Sequence, residues 1–246
     1  VGRDSANSNK AFLLDLDTSY DATSFTLKVT ADSVSLPSFP NNTSMTQFSF
    51  EDSGSILVVR RVDDFWVYNL STAYDPSTAS LWYTVDNTPH QQYYFNPTGT
   101  ILVSEGSFGR AYSYSLSTAW DIRTASQIGL LSTSYVSEMG MFFSADGLTY
   151  YSIYDQDEKF WKFDLTTAYN VGSTTGTPTF HDSGIGSIPD YAATLGISAD
   201  GHYVYANSTT TTYQVRLGTA YDATTAVVAD TAAWKAHGSG SNTGID

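Results

Sequence analysis

The side chains with the widest chemical repertoire are few and scattered. The four histidines, His90, His181, His202 and His237, stand 91, 21 and 35 residues apart, so no two have the close spacing with which one element presents paired metal ligands, and no triad-like set is visible. Each reads as a solvated loop or strand residue. Serine and threonine abound, but no Gly-x-Ser-x-Gly segment sets one on a nucleophile elbow. The absence of cysteine removes thiolate nucleophiles, disulfides and cysteine-ligated zinc together. Gly238-Ser-Gly-Ser241 neither follows a strand nor opens a helix, so it reads as a flexible terminal segment rather than a phosphate loop.

Carboxylates cluster at Asp63-Asp64 and at Asp155-Gln-Asp157-Glu158. Oxygen ligands at alternate positions suit a hard cation such as calcium, but the twelve-residue loop with its glycine and distal bidentate glutamate is missing. Both clusters therefore read as solvated turn acids. Paired carboxylates for glycoside hydrolysis would have to face each other across a cleft, which sequence cannot place. The aromatic pairs Trp82-Tyr83 and Tyr93-Tyr94 are the candidates for stacking on sugar rings; strand alternation turns one of each pair inward, and core packing is the favoured role. The sequons at Asn41, Asn42, Asn69 and Asn207 carry weight only in a eukaryotic secretory source. No catalytic, cofactor-binding or metal-ligating residue is assigned, and the binding residues stay open.

Eleven Lys and Arg against 25 Asp and Glu give a net charge of -14, which repels phosphate backbones and anionic lipid. Nucleic-acid and membrane partners are therefore not expected. No apolar run approaches the ~20 residues a bilayer needs, and the chain opens on Val1-Gly-Arg-Asp4 rather than a Met or a signal sequence. A chain cut, processed or taken from a longer repeat array fits that start. With 15% charged and 15% aromatic residues the composition is that of a folded protein, and 246 residues suit one domain, 1–246.

The elements that must carry these residues repeat. Leu16-Asp-Thr-Ser-Tyr-Asp21, Leu70-Ser-Thr-Ala-Tyr-Asp75, Leu116-Ser-Thr-Ala-Trp-Asp121, Leu165-Thr-Thr-Ala-Tyr-Asn170 and Leu217-Gly-Thr-Ala-Tyr-Asp222 are five copies of one motif, spaced by 54, 46, 49 and 52 residues. That is close to the period of a four-stranded propeller blade, about 40 to 50 residues. Alternating apolar residues run into each motif, such as Trp66, Tyr68, Leu70 or Trp161, Phe163, Leu165, and predict a strand, C, packed harder on one face. The motif acid or amide is expected to bond its own backbone two residues on, and the aromatic to pack between neighbouring blades. Upstream, Phe50-Glu-Asp-Ser-Gly54, Phe95-Asn-Pro-Thr-Gly99, Phe143-Ser-Ala-Asp-Gly147 and Ile197-Ser-Ala-Asp-Gly201 predict the end of strand A and a turn whose glycine takes positive φ. Strand B follows, as in Ile56–Val59 or Tyr150–Ile153, and strand D follows the motif, as in Phe25–Val29, Leu81–Val85 and Gln127–Leu131. Polar loops are expected over Ser35–Ser44 and Gly172–Ile188, and Thr231–His237 has helical propensity for at most two turns.

The fold expected is thus all-β, a five-bladed β-propeller of four-stranded antiparallel blades. Repeat 1 starts at strand B, and its strand A should lie from residue 242 onward, where Thr243-Gly-Ile-Asp246 superimposes on Leu195-Gly-Ile-Ser198. The C-terminal strand would complete the first blade, leave no open edge and bring the termini together.

The Phe-Ser-Ala-Asp-Gly turn, its Tyr-rich strand and the strand ending in Asp-Leu-Thr-Thr resemble bacterial YVTN-type and lactonase-like propeller repeats. The Leu-Ser-Thr-Ala-Tyr-Asp-x-x-Thr-Ala-Ser signature is similar to repeats in bacteriophage tail and fibre proteins and bacterial surface proteins. The resemblance spans essentially the whole chain. It implies a propeller, and for lactonase-like members a carboxylate-ligated metal in the central channel, a ligand set with no residue-by-residue match here. The function expected is a non-catalytic structural or adhesive module of a virion, as part of a phage tail or fibre, or of a cell surface, with no cofactor. Its partners would be proteins of a larger assembly or surface glycans, with a homo-oligomer open. A carbohydrate-binding propeller with one shallow site per blade is the alternative, and a lactonase-like or glycosidic enzyme the third reading.

Overall fold

The computed structural model describes residues 10–11, 14–16, 25–27, 34–37, 45–61, 64–86, 90–106, 109–136, 140–154, 159–182, 195–198, 200–207 and 211–233. The chain divides into two compact units, residues 1–89 and 90–246.

The first unit holds β1 (Lys10–Ala11), β2 (Leu14–Leu16), β3 (Phe25–Leu27) and β4 (Val34–Ser35), followed by a sheet of β5 (Met45–Glu51), β6 (Ile56–Arg61), β7 (Asp64–Leu70) and β8 (Ala79–Val85) in that order. In the second unit β9 (His90–Phe95), β10 (Ile101–Gly106), β11 (Arg110–Leu116) and β12 (Ala125–Ser132) form one sheet. A second is made of β13 (Met141–Phe143), β14 (Thr149–Tyr154), β15 (Lys159–Leu165) and β16 (Thr174–Asp182), and a third of β17 (Leu195–Ile197), β18 (Tyr203–Asn207), β19 (Thr211–Leu217) and β20 (Ala226–Ala233). Each sheet is an antiparallel meander in chain order, the blade of a β-propeller.

Four of the five expected blades are complete four-stranded sheets. At repeat 1 the described strands are the pairs β1–β4 and β2–β3. The motif leucine nevertheless pairs nine residues ahead in all five copies: Leu16↔Phe25, Leu70↔Ala79, Leu116↔Ala125, Leu165↔Thr174 and Leu217↔Ala226. Thr243–Asp246, expected to complete that blade, lie outside the described residues.

Burial explains the sequence pattern. Strand B is enclosed on both faces, with Leu57, Val58 and Val59 at most 2% exposed, so it reads as a continuous apolar run rather than an alternation. Strand C is also closed on both faces over much of its length, since Phe65 and Val67 are buried beside Tyr68 and Leu70. In the second unit the cores lie between successive sheets: Val103 and Ala111 pack with Phe143, Tyr150 and Phe163, and Phe142, Tyr151 and Phe160 with Val204, Val215 and Leu217. The first strands β9, β13 and β17 run beside one another.

Strand D is the exposed edge, and the C–D pair of each four-stranded sheet shifts register at the same place, leaving Trp82, Ile128 and Ala229 as extra residues in three of them. In β16 the shift spans Gly176 to Pro178. A repeated bulge, or a proline, blunts an edge that would otherwise pair with another chain. The same features explain a correction. Gly172–Ile188 was expected to be loop, yet Thr174–Asp182 is strand β16; its Gly176 and Pro178 are tolerated because the strand is an edge. Thr231–Ala233 end strand β20 rather than a helix, and residues 234–237 lie outside the described residues. Among the described residues no helix is long and apolar enough to cross a membrane.

Candidate functional site

The repeated motif builds a lock within each sheet. Asp75, Asp121, Asn170 and Asp222 each accept a hydrogen bond from the backbone N–H two residues on, at 2.9, 3.1, 3.0 and 3.0 Å, which caps a single 3-10 turn as expected. The hydroxyls of Thr78, Thr124, Ser173 and Thr225 donate to the backbone carbonyls of those same four residues at 2.7 to 2.8 Å. Arg123 holds the Asp121 carboxyl below the usual carboxylate range, first by its side-chain hydrogen bond.

The motif aromatics Tyr74, Trp120, Tyr169 and Tyr221 all take left-handed backbone, φ 61, 64, 58 and 58°. Each donates its N–H to the carbonyl of the A–B turn glycine, Gly54, Gly99, Gly147 or Gly201, at 2.7 to 2.9 Å. Each ring lies so close over that glycine that a Cβ there would come within 2.6, 2.2, 2.4 or 2.1 Å of ring atoms. The ring thus lies first on the turn of its own sheet, and the expected packing between blades is met at Tyr169, which is buried with Val103 and Ala111 of the preceding sheet. Only a bare Cα admits the ring, and the turn glycine's positive φ removes the side chain's competitor at no steric cost. Tyr169 also reaches the preceding sheet, stacking on Tyr94 at 6.2 Å.

Polar groups inside the second unit join neighbouring sheets. Glu105 on β10 is fully buried and accepts hydrogen bonds from the hydroxyls of Tyr150 and, at 2.8 Å, Ser152, both on β14. Burial and the facing carboxylate push the Tyr150 phenol well above its ordinary range. Ser113 on β11 donates to the Tyr169 carbonyl at 2.8 Å and accepts from the Val171 N–H at 2.9 Å. Gly129 lies against the same turn, where a Cβ would meet Asn170 Oδ1 at 2.0 Å.

The residues singled out from sequence are not gathered into a centre. His90 opens β9 opposite Gly106, and His181 on β16 faces Phe160. His202, half-buried, places Nδ1 3.2 Å from the Leu217 carbonyl oxygen. Asp64 is 8% exposed and pairs with Arg61. His237, Asp63, Asp155, Asp157, Glu158, Asn41 and Asn42 lie outside the described residues. Among the described residues no three His, Asp or Glu side chains group closely enough to hold a metal ion. Asn69 is exposed on β7, and Asn207 ends β18. Alternation sorts the aromatic pairs: Tyr83 and Tyr93 are buried, Trp82 and Tyr94 half-buried.

Sequence reasoning missed one partly exposed aromatic group. On the second sheet of the second unit, Trp161 of β15 pairs across from Phe180 of β16, with ring centroids 5.2 Å apart. Tyr135, in the segment after β12, stacks on Trp161 at 3.9 Å and 17°. Trp161 is 8% exposed, while Tyr135 and Phe180 are 38% and 56% exposed. The Trp161 Nε1–H is buried with no hydrogen-bond partner, and the Lys159 ammonium sits 4.3 Å from the Phe180 ring centroid, a cation–π contact. Tyr135 stands outside the repeat and Phe180 within a Thr-rich stretch that reads as loop, so only the C-strand tryptophan carried a signal.

No known family matches the sequence, and no curated protein matches it. Among solved structures the chain is similar to a protein from Lactobacillus plantarum, at 15% identity and TM-score 0.50, over 91% of this chain and 65% of that one. It is also similar to the periplasmic gluconolactonase of Pseudomonas aeruginosa, at 12% identity and TM-score 0.46, over 77% of this chain and 53% of that one. The β-propeller domain of Cps50 from Myceliophteria thermophila follows at 9% identity and TM-score 0.44, over 76% of this chain and 70% of that domain. At such identities the likeness is one of fold.

Proposed function

We propose that this chain is a non-catalytic β-propeller of five blades that serves as a structural or adhesive module on a virion or cell surface. One observation carries the reading. The polar side chains that recur with the repeat are engaged in holding the sheets, as Asp75, Asp121, Asn170 and Asp222 are, while several large apolar side chains, Phe180, Tyr135 and Leu130 among them, face solvent. Such a surface suits contact rather than chemistry. The common C–D register at Leu16↔Phe25 supports a fifth blade.

The test is binding of fluorescently labelled protein to whole bacterial cells, run beside a hydrolysis panel of lactones and glycosides with and without added divalent metal. Saturable binding without turnover is the expected result. Turnover that tracks the protein through purification would replace this reading with an enzymatic one.

A further inference from the structure

The Tyr135–Trp161–Phe180 shelf goes further, on the premise that the chain is a binding module. We infer that it is a site for a single neutral pyranose of a glycan, one site on this sheet rather than one per blade. The size of the exposed surface selects the occupant. Two partly exposed rings offer at most a few hundred Å² of contact, well short of the ~800 Å² per partner of a stable protein interface, but enough for one sugar ring.

Chemistry selects it further. Trp161 covers one face of Tyr135 by parallel stacking at 3.9 Å, and Tyr135 remains 38% exposed. A pyranose presents one face of weakly positive C–H groups, which match the negative π face of such a ring. Phe180 forms an adjoining wall, with the Lys159 ammonium lying over its ring 4.3 Å from the centroid, which holds that ring in place by a cation–π contact. The net charge of -14 works against sulfated or carboxylated glycans and against nucleobases on a phosphate chain.

The equivalent positions elsewhere do not repeat the arrangement. The cross-strand partner of Trp66 is Thr84, that of Tyr112 is Leu130 and that of Tyr213 is Thr231, so among the described residues no other repeat sets two aromatic rings side by side at this position.

The experiment uses the whole chain on an array of neutral hexopyranose oligosaccharides printed beside the same backbones bearing carboxylate or sulfate, together with whole-cell binding. Wild type should bind one or more neutral glycans saturably. Tyr135→Ala and Phe180→Ala should each weaken that binding at least tenfold without lowering the melting temperature by more than a few degrees. Lys159→Gln should weaken it by a smaller factor. Glycan binding unchanged in both aromatic variants, or confined to the acidic glycans, would overturn the assignment. Binding to cells without binding to any glycan would also overturn it while leaving the adhesive reading in place, and no binding to either would overturn both.

Discussion

Replacing Gly99 by alanine tests the lock between the motif aromatic and the A–B turn. Two separate costs meet there. At φ +67° a Cβ clashes with its own backbone, about 1 to 2 kcal/mol for a non-glycine residue. The same Cβ would also stand 2.2 Å from Trp120 Cδ2 and Cε2, so the indole must move. Trp120 is 9% exposed and packs on Phe95 at 5.4 Å; forcing it aside is an overpacking change of about 1 to 3 kcal/mol. Gly99→Ala should therefore cost roughly 2 to 5 kcal/mol, a large share of the ~5 to 15 kcal/mol that holds a typical domain. Two other glycines separate the terms. Gly176 has φ +71° with nothing within 4 Å of a Cβ, and Gly129 takes ordinary φ but lies against Asn170. Gly176→Ala should cost only the backbone term, about 1 to 2 kcal/mol, and Gly129→Ala only the steric one. Urea-melt midpoints of the three variants give the answer. Equal midpoints for Gly99→Ala and Gly176→Ala would refute the ring-on-glycine lock.

Three further outcomes follow from the hydrogen bonds and buried acids. Ser113→Ala leaves the buried Tyr169 carbonyl and Val171 N–H without this hydroxyl and should cost about 2 to 3 kcal/mol in the same melts, whereas Ser115→Ala, on the same strand and half-buried, should change little. Asp121 has a lowered pKa, from the Arg123 side-chain hydrogen bond first, so its contribution is present above the unfolded-state value and fades as pH falls below about 4; Asp121→Asn should flatten that acid limb. Glu51 is shifted the other way, raised from 4.5 to about 7 by burial against the opposing hydrogen bond of Ser49. The folded state then holds the proton more tightly, stability declines as pH rises from 4.5 through about 7, and Glu51→Gln should remove that decline in pH-dependent melts.

The repeat itself was legible because it rests on local rules. A glycine at the A–B turn, an acid that bonds two residues ahead, and apolar runs of strand length are short-range signals that survive without tertiary context. The partner of the motif aromatic was not legible: Trp120 meets Gly99, 21 residues upstream, and glycine carries no side chain to advertise the contact. Neither was the left-handed backbone of Tyr74, Trp120, Tyr169 and Tyr221, which bulky residues seldom adopt and which here is held by the N–H bond to the turn carbonyl. Strand β16 was hidden by Gly176 and Pro178, which oppose a central strand but not an edge. The shelf was hidden in turn, because Phe180 lies on that strand and Tyr135 joins only through a stack between sheets.

The central claim is a division of labour: repeated motif aromatics hold the sheets, and the unrepeated shelf makes contact with a partner. It is tested most directly by measuring melting temperature and saturable cell or glycan binding together for Trp120→Ala and Phe180→Ala. The account predicts that Trp120→Ala, which removes a buried ring at a cost of about 3 to 5 kcal/mol, lowers the melting temperature by many degrees while the protein still folded binds normally. Phe180→Ala should melt close to wild type and lose most of its binding. Loss of binding in Trp120→Ala at temperatures where it is folded, with Phe180→Ala binding as wild type, would contradict it.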